Sequence, residues 1–468
     1  MAKLYIFGIG GTGSRVLRSF TMLMASGVQL GSDIDEVVPI IIDPDKSNAD
    51  LTRTVMLMNN YREVRSNLKF TEDNPSQFFR HEILKTLGNY TLHIDDTDDK
   101  TFEQFIELSS MDKTYQAMIR MLFSSKNLGS SMDVGFKGNP NIGSVVLNQI
   151  VRAKGFVDFA NSFESGDKIF IVSSIFGGTG ASGFPLLLKT LRINDTMDNH
   201  ELINHAAIGA VTIMPYFKLE SDGDSEINSS TFISKTKSAL AYYENSIVKN
   251  DSINAFYYLA DDMSNTYENH QGGDMQRNDA HLVEFLAATA IVDFTNNVLS
   301  DSTTNKEFGI KEISDAVTFN SFCAKDKRIL FEPLTQFVLL SNCLTDKYDY
   351  FSSSDFNANS GYFKGLYTTS FMKELIGFCS EYKDWLTEMK GNKRSLDLFN
   401  LNCKRKPFDV VTDVKPQRVW SFKSDYFLVA DRLNAKVKKC QAKEKKDRFL
   451  EMYYLATQQL VNEKFGKA

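Results

Sequence analysis

The sequence predicts an α/β protein in which a parallel, doubly wound sheet is followed by a smaller α+β domain. Over the first two-thirds of the 468 residues, short apolar runs alternate with helical patterns. Glycine-rich turns stand between several of these runs and the helices that come after them. Near residue 300 the chain becomes turn-rich, and it then mixes helices with short strands. This length suits two or three domains with a sizeable core.

The predicted strands are short apolar runs bounded by turn signals. They occupy residues 3–7, 36–42, 169–175, 206–214 and 255–259. Two of the runs contain or meet a proline, which cannot donate a hydrogen bond to a neighbouring strand. Pro39 is therefore expected to break or bound the second run, and Pro215 is expected to end the fourth.

The predicted helices are segments in which apolar residues recur with helical spacing. They occupy residues 14–25, 143–160, 184–191 and 281–297. The first places four apolar side chains near one face: Val16, Leu17, Phe20 and Met24. The last is apolar around most of its circumference, so it should be buried on several sides. His281 at its start is interpreted as a cap or a core contact rather than a ligand.

Composition excludes several classes of protein. The net charge of −6 gives no basic field that would draw the chain to nucleic acid or to an anionic membrane. No apolar run is long enough to span a bilayer, and the first one is too short for a signal peptide. The five scattered cysteines form no C-x-x-C, and the six histidines form no H-E-x-x-H. We therefore expect a cytoplasmic protein with reduced thiols and no zinc site.

Two charge runs are interpreted as solvated surface. The acidic run at residues 95–99 is interpreted as a loop, with a metal site as the remote alternative. Lysines cluster at positions 436, 438, 439, 443, 445 and 446, where Glu444 and Asp447 interrupt them. They are interpreted as a solvated helix face, with a partner-docking helix as the alternative.

Three glycine-bearing loops suit a phosphorylated ligand. Residues 8–13 have the G-x-G-x-x-G spacing, and residues 135–143 lead through Gly, Asn and Pro into a helix. Residues 177–183 (Gly-Gly-Thr-Gly-Ala-Ser-Gly) stand between a strand and a helix. Glycines let the backbone approach a phosphate, and the N–H groups and dipole of the adjoining helix attract it. This last loop contains no lysine, so it is not a Walker A loop.

A fourth loop, Asp43-Pro44-Asp45, comes directly after the second predicted strand. Its carboxylates suit a ribose or the water shell of a magnesium ion, and a plain Asp-Pro turn is the structural alternative. A dinucleotide needs only the first glycine loop, whereas three phosphates need several separate sources of N–H groups. The set of loops therefore favours a nucleoside triphosphate.

The glycine loops resemble those of the tubulin/FtsZ superfamily. Residues 177–183, with Phe176 before them, look like the GGGTG[ST]G signature of that superfamily. Residues 8–13 resemble the G-x-G-G-x-G first loop of FtsZ, and residues 135–143 are similar to its third loop. The ordered set extends over roughly residues 1–300, and residues 278–294 further resemble divergent bacterial tubulin-like proteins rather than FtsZ itself.

The resemblance implies a nucleotide-binding domain over residues 1–280, a central connecting helix over 281–299, and a C-terminal domain with terminal helices over 300–468. It implies GTP or GDP as the ligand, with Mg²⁺ held through the nucleotide and not by protein ligands. It also implies head-to-tail filaments with nucleotide between subunits, and C-terminal helices available to an adaptor. The residues expected at the nucleotide are Gly10, Gly11, Thr12, Gly13, Asp43, Asp45, Gly138, Asn139, Gly143, Gly177, Gly178, Thr179, Gly180, Ala181, Ser182, Gly183, Asn278 and Asp279.

One departure from the family leaves GTPase activity open. The family places catalytic carboxylates after the central helix in a pattern like N-x-D-x-x-[DE], which this chain lacks. Asp301, Asp315 and Asp326 lie in that region and are the candidates. Two alternatives stay open: a non-polymerising, nucleotide-gated scaffold without hydrolysis, and a Rossmann-type NAD(P)-binding oxidoreductase that rests on residues 8–13. We also expect Gly180→Val to weaken nucleotide binding while leaving the fold intact.

Overall fold

The computed structural model describes residues 2–46, 48–71, 73–132, 136, 139–219, 229–261, 265–267, 277–300, 302–307, 316–353, 363–403, 406–417 and 424–466. The strands are β1 (Ala2–Ile9), β2 (Ile34–Ile42), β3 (Glu82–Ile83), β4 (Thr91–Leu92), β5 (Lys168–Ser174), β6 (Ala207–Ile213), β7 (Phe217–Leu219), β8 (Ala255–Leu259), β9 (Asn265–Tyr267), β10 (Thr304–Glu307), β11 (Ala316–Val317) and β12 (Ser395–Leu396).

The α-helices are α1 (Gly10–Ala25), α2 (Ala49–Ser66), α3 (Phe102–Phe105), α4 (Lys113–Leu122), α5 (Ser125–Leu128), α6 (Pro140–Leu147), α7 (Lys154–Ser162), α8 (Gly178–Ile193), α9 (His200–Asn204), α10 (Ser229–Tyr243), α11 (Leu282–Asn296), α12 (Ala324–Thr345), α13 (Tyr348–Ser352), α14 (Ser370–Gly391), α15 (Asp425–Val437) and α16 (Lys445–Phe465). None of the described helices is long and apolar enough to cross a membrane.

Eight of the strands form one sheet in the order β10-β8-β6-β5-β1-β2-β3, with β4 also paired to β2. Every pairing in this sheet is parallel. Helices flank the sheet, so the predicted α/β class is confirmed. We call the edge at which β1 and β5 end the carboxyl edge, and the opposite edge the amino edge.

Pro39 lies inside β2, so the expectation that it breaks or bounds the strand is wrong. It pairs with Ile6 of β1. On the other side of β2, β3 pairs only with Glu36 and Val37, and β4 only with Ile41 and Ile42. Pro39 falls in the gap between these two short strands, where no neighbouring carbonyl needs its missing N–H group.

The predicted helix over residues 143–160 is two helices, α6 and α7, separated by a 3-10 turn at Ile150–Arg152. Ala153 is extended, with ψ of 132°, and this ends the helical path before α7 begins. α1 begins four residues earlier than predicted, inside the first glycine loop.

After residue 300 the chain returns once to the large sheet, because β10 pairs with β8. Beyond β10, the described part of the chain is mainly helical, with one two-stranded parallel sheet of β11 and β12. α16 buries most of its apolar residues and packs against α12 and α15. The domain boundaries at residues 280 and 300 stay a prediction.

Candidate functional site

The first glycine loop and the loop at residues 177–183 meet at the centre of the carboxyl edge. β1 and β5 are neighbours in the sheet, and the chain leaves β1 towards β2 but leaves β5 towards β6. Such a switch of direction opens a crevice at the carboxyl ends of the strands, where ligands of α/β sheets bind. Gly10 has a φ of 70°, and a Cβ atom there would lie 3.5 Å from the Cβ of Thr179. The two loops therefore form one surface.

Three helices present unneutralised N-termini near this surface. α1, α6 and α8 have no side chain that caps the first turn, and none has an acidic residue in it. In α2, by contrast, the Asn48 side chain accepts hydrogen bonds from the N–H groups of Asp50 and Leu51. An uncapped first turn leaves N–H donors and the positive end of the helix dipole available to an anion.

α6 is held against α8 at a glycine. A Cβ on Gly143 would overlap the Ser182 hydroxyl and lie 2.8 Å from the Phe136 ring. Asn139 precedes α6, is partly exposed, and donates its backbone N–H to the Phe136 carbonyl at 2.7 Å. The loop that leads into α6 therefore lies beside the loop at residues 177–183. Gly138, also predicted at the nucleotide, lies outside the described residues.

The loop residues divide into a buried and a partly exposed set. Partial exposure is found at Gly11, Gly177, Thr179 and Ala181. Burial is found at Gly10, Thr12, Gly13, Gly178, Gly180, Ser182 and Gly183. The Ser182 hydroxyl donates to the Gly178 carbonyl at 2.7 Å, inside its own helix. The partly exposed set is the part of the surface that a ligand can reach.

Gly13 and Gly180 have packing reasons to be glycine. A Cβ on Gly13 would overlap the main chain of Gly8, where α1 crosses β1. A Cβ on Gly180 would overlap the Ser174 carbonyl and lie 2.9 Å from the Ser174 nitrogen, where α8 crosses β5. These distances argue against the expectation that Gly180→Val leaves the fold intact.

Asp43 and Asp45 come after β2 at the carboxyl edge and are buried, 6% and 2% exposed. The Asp43 carboxylate accepts the backbone N–H of Asp45 at 3.1 Å. Burial raises the pKa of Asp43 to about 7, the hydrogen bond from Asp45 opposes this, and the Asp45 carboxylate adds to it. A buried carboxyl group with a raised pKa is better suited to a neighbouring cation or hydroxyl donor than to a second anion.

We expect stability of the nucleotide-free protein to depend on pH through Asp43. The folded state keeps this proton up to about pH 7, whereas the unfolded chain releases it near pH 4, so stability falls as pH rises across that window. Between pH 5 and pH 6 the wild type should lose about 1 kcal/mol relative to Asp43→Asn. Urea unfolding of both proteins at the two pH values measures this, and an equal pH response of the two proteins would contradict it.

Asn278 and Asp279 lie just before α11, and Asn278 is already engaged within the chain. Its side-chain amide donates to Asp50 at 2.9 Å, and its backbone N–H donates to the other oxygen of Asp50 at 3.1 Å. Its carbonyl accepts a 2.6 Å hydrogen bond from Arg53. Asp279 is exposed. Of this predicted pair, Asp279 is the more exposed residue.

Sequence reasoning missed a buried ionic network behind the loops. Arg15 donates to Glu284 at 2.6 Å, to Asp50 at 3.0 Å and to the hydroxyl of Tyr216 at 2.9 Å. The Tyr216 hydroxyl also donates to Glu284 at 3.0 Å. The side chains of Arg15, Asp50 and Glu284 are 6% exposed or less. The one visible signal in the sequence is an arginine among the apolar residues that come after the first glycine loop.

The network extends into the C-terminal helices through Glu388 of α14. Arg18 donates to it at 2.6 Å, and Arg53 donates to it at 2.9 Å. The backbone N–H of Ala280 donates to the same carboxylate. α1, α2, the start of α11 and α14 are therefore joined by charge-assisted hydrogen bonds directly behind the candidate site.

His281 caps α11, as the sequence indicated. Its Nδ1 accepts the N–H of Val283 at 3.1 Å, and Glu284 accepts the N–H of His281. Burial, with smaller effects from Arg15 and Arg394, lowers the pKa of His281 to about 3. The ring is therefore neutral and acts as a hydrogen-bond acceptor.

Of the three candidate catalytic acids, the structure describes Asp326 and does not bring it to the loops of its own chain. Asp301 and Asp315 lie outside the described residues. Asp326 lies in the first turn of α12 and accepts a hydrogen bond from the thiol of Cys323. Its neighbour Lys325 pairs with Asp293, which lies in the last turn of α11. That end of α11 is the one farthest from the carboxyl edge.

Comparisons with solved structures give three likenesses of the same kind. CetZ1 from Haloferax volcanii, a GDP-bound monomer, is 12% identical over 55% of this chain and 51% of its own, with a TM-score of 0.27. CetZ from Methanosaeta thermophila is 15% identical over 56% and 46%, with a TM-score of 0.25. CetZ2 from Haloferax volcanii, a GTPγS-bound protofilament, is 15% identical over 56% and 49%, with a TM-score of 0.26.

These structures are tubulin-like. The matched region spans about half the length of each of them. No protein-family model and no curated protein matches the chain. Because the TM-scores and identities are low, the case for a ligand and for assembly rests on the loops and helices of this chain.

Proposed function

We propose that the chain binds a nucleoside triphosphate, GTP by the resemblance of its loops, at the crevice between β1 and β5. The observation that carries this proposal is the meeting of three helix N-termini, each without a cap and without an acidic residue. One such terminus suits one phosphate, and three of them suit the spread charge of a triphosphate.

The exposed loop residues would hold the phosphates. Gly11, Gly177, Thr179 and Ala181 line the part of the surface that a ligand reaches, and Asn139 lies at the start of α6. When bound, Mg²⁺ would neutralise phosphate charge. The donor chemistry of the site fits a metal carried by the nucleotide, and Asp43 and Asp45, which follow β2 at the carboxyl edge, would bind its water shell. The base would lie towards Asp279.

We propose further that copies associate head to tail, with the nucleotide between them. The phosphate loops lie at the carboxyl edge, whereas Asp326 lies towards the end of α11 that is farthest from it. An acid in that place faces the nucleotide of a second copy, not its own. An association of two unlike edges does not close, so it yields filaments. The apolar face of α16 is buried within the chain, so we assign no adaptor to it.

Thr179→Asp tests the nucleotide site. Aspartate suits the first turn of a helix, so α8 should be as stable as before or slightly more stable. Its charge would lie where we place the phosphates and should weaken GTP binding at least about tenfold. Calorimetric titration with GTP and Mg²⁺ measures the affinity, and thermal unfolding reports the fold.

Thr179→Asn is the matched control, because it has nearly the same shape without the charge. It should bind GTP within about threefold of the wild type, since the charge difference is removed. Equal affinities of the aspartate and asparagine variants would remove the loop at residues 177–183 from the site.

A dinucleotide remains the second candidate, because Asp43 comes directly after β2, where such proteins place the acid that binds a ribose. The same sheet order is also found in dinucleotide-binding folds. NADH fluorescence decides between them. Tight NADH binding without GTP binding would favour the dinucleotide.

A further inference from the structure

Residues 100–132 form a closed lobe at the carboxyl edge, which we call the α4 lobe. It lies between β4, which ends at this edge, and α6, which begins there. Its two ends are joined, since the N–H of Phe102 donates to Ser130 and the N–H of Met132 donates to Lys100, both at 2.9 Å. Asn127 in the lobe accepts a hydrogen bond from Asn139 just before α6. The lobe therefore stands beside the candidate phosphate surface.

α4 carries an exposed apolar face. None of its residues is buried. Four large apolar side chains are 53–87% exposed: Tyr115, Met118, Met121 and Leu122. Their helical spacing places them on one side of α4. An apolar face of this kind, rimmed by charge, is typical of a protein–protein contact.

The amino edge carries exposed apolar side chains as well. Ile193 ends α8 and is 64% exposed, Leu202 in α9 is 40% exposed, and Val298 after α11 is fully exposed. The first two flank the place where Arg192 donates to the Asn204 and Ala206 carbonyls. α9 also lies beside the end of α7, through hydrogen bonds from Asn199. α6 and α7 thus lead from the α4 lobe towards the Ile193 and Leu202 group.

The two edges also differ in charge. Next to the α4 lobe, the exposed acidic loop carries four aspartates, of which Asp98 pairs with Lys46 and Asp96 pairs with Lys100: Asp95, Asp96, Asp98 and Asp99. The lysines at 438, 439 and 443 are exposed and lie in the turn between α15 and α16. The prediction that the lysine cluster forms one helix face is therefore wrong. That turn lies at the amino edge, because Asp447 and Lys446 bond to Lys69 and Asn67 just after α2 ends. Unlike edges attract when copies align head to tail.

We propose that the exposed face of α4 docks on a second copy of this chain, at Ile193 and Leu202 on the amino edge. This rests on the proposed head-to-tail association and names the surface that makes it. The apolar faces supply the buried area, and the acidic loop and the lysine turn set the polarity of the pair.

Three variants test the surface. Met121→Lys places a charge on the α4 face, and Ile193→Lys places one on the opposite edge; each lies in the last turn of its helix, where lysine suits the dipole. Met56→Lys is the matched control, because Met56 is 59% exposed on the flank of α2. In sedimentation with GTP and Mg²⁺, the first two should raise the concentration needed for assembly at least about tenfold. The control should assemble like the wild type.

Mixing the two edge variants is the decisive measurement. Each retains one intact edge, so at a concentration where either variant alone stays monomeric, an equimolar mixture should form heterodimers and nothing larger. A Met121→Lys protein that assembles like the wild type, or a mixture that stays monomeric, would overturn the proposal. The nucleotide retained by each purified variant is measured in parallel. Wild type that binds GTP yet stays monomeric overturns the proposed association and with it the docking surface, but not the nucleotide site, whereas absence of nucleotide binding overturns the proposed site.

Discussion

Replacing Arg15 with methionine should lower the free energy of unfolding by about 3–5 kcal/mol. The guanidinium donates to Glu284, Asp50 and Tyr216 in a region that water barely reaches. Removing it breaks the ion pair of buried Glu284 and leaves buried Asp50 with Arg53 as its remaining described cation. Such groups must either stay charged in a poor solvent or take up a proton, and both cost free energy. Urea unfolding followed by circular dichroism measures the loss.

Arg120→Met is the control, since Arg120 pairs with Glu103 on the surface, where the two side chains are 53% and 40% exposed. It should change the free energy of unfolding by less than about 1 kcal/mol. The double variant Arg15→Met/Glu284→Gln should be more stable than Arg15→Met alone, because one of the stranded charges is gone. A loss of less than about 1 kcal/mol in Arg15→Met would show that the network contributes little.

The central strands could be predicted because burial on both faces leaves a continuous apolar run. For β1, β5, β6 and β8, the predicted ends agree with the structure to within two residues. β10 has no counterpart among the predicted strands, since Thr304–Glu307 contains no apolar residue and is recruited only by pairing with β8. Local pattern thus finds the strands that form the core and not the one that extends its edge.

The buried network could not be predicted for a different physical reason. Arg15 and Glu284 are 269 residues apart in sequence, and their pairing leaves no periodic pattern at either place. The sequence places Glu284 inside an apolar helix, but its partner depends on how α1 packs against α11. Long-range polar pairs of this kind depend on the fold, so the sequence pattern alone does not show them.

The glycine loops show both what a sequence pattern can identify and what it cannot distinguish. It identifies the carboxyl-edge loops together, and the structure brings two of them within contact at Gly10 and Thr179. It cannot separate a glycine needed for a ligand from one needed for packing. Both leave the same letter in the sequence, and only the atoms facing the missing Cβ distinguish them.

Gly180→Val should therefore lower the free energy of unfolding by more than about 3 kcal/mol and abolish GTP binding together with it. The new side chain would overlap the main chain of Ser174, which cannot rotate away as a side chain can. α8 must then move off β5, and its first turn moves away from Gly10. Urea unfolding and GTP titration of the same preparation report both effects.

Gly377→Val is the matched control, because Gly377 lies in α14 with nothing within 4 Å of its missing Cβ. It should change the free energy of unfolding by less than about 0.5 kcal/mol, since valine and glycine differ little in helix propensity. The comparison with Thr179→Asp then separates two causes of lost binding. Thr179→Asp should lose GTP with the fold unchanged, whereas Gly180→Val should lose GTP because the fold is damaged. If Gly180→Val instead unfolds like the wild type and binds no GTP, this glycine makes room for the ligand and not for the strand beneath it.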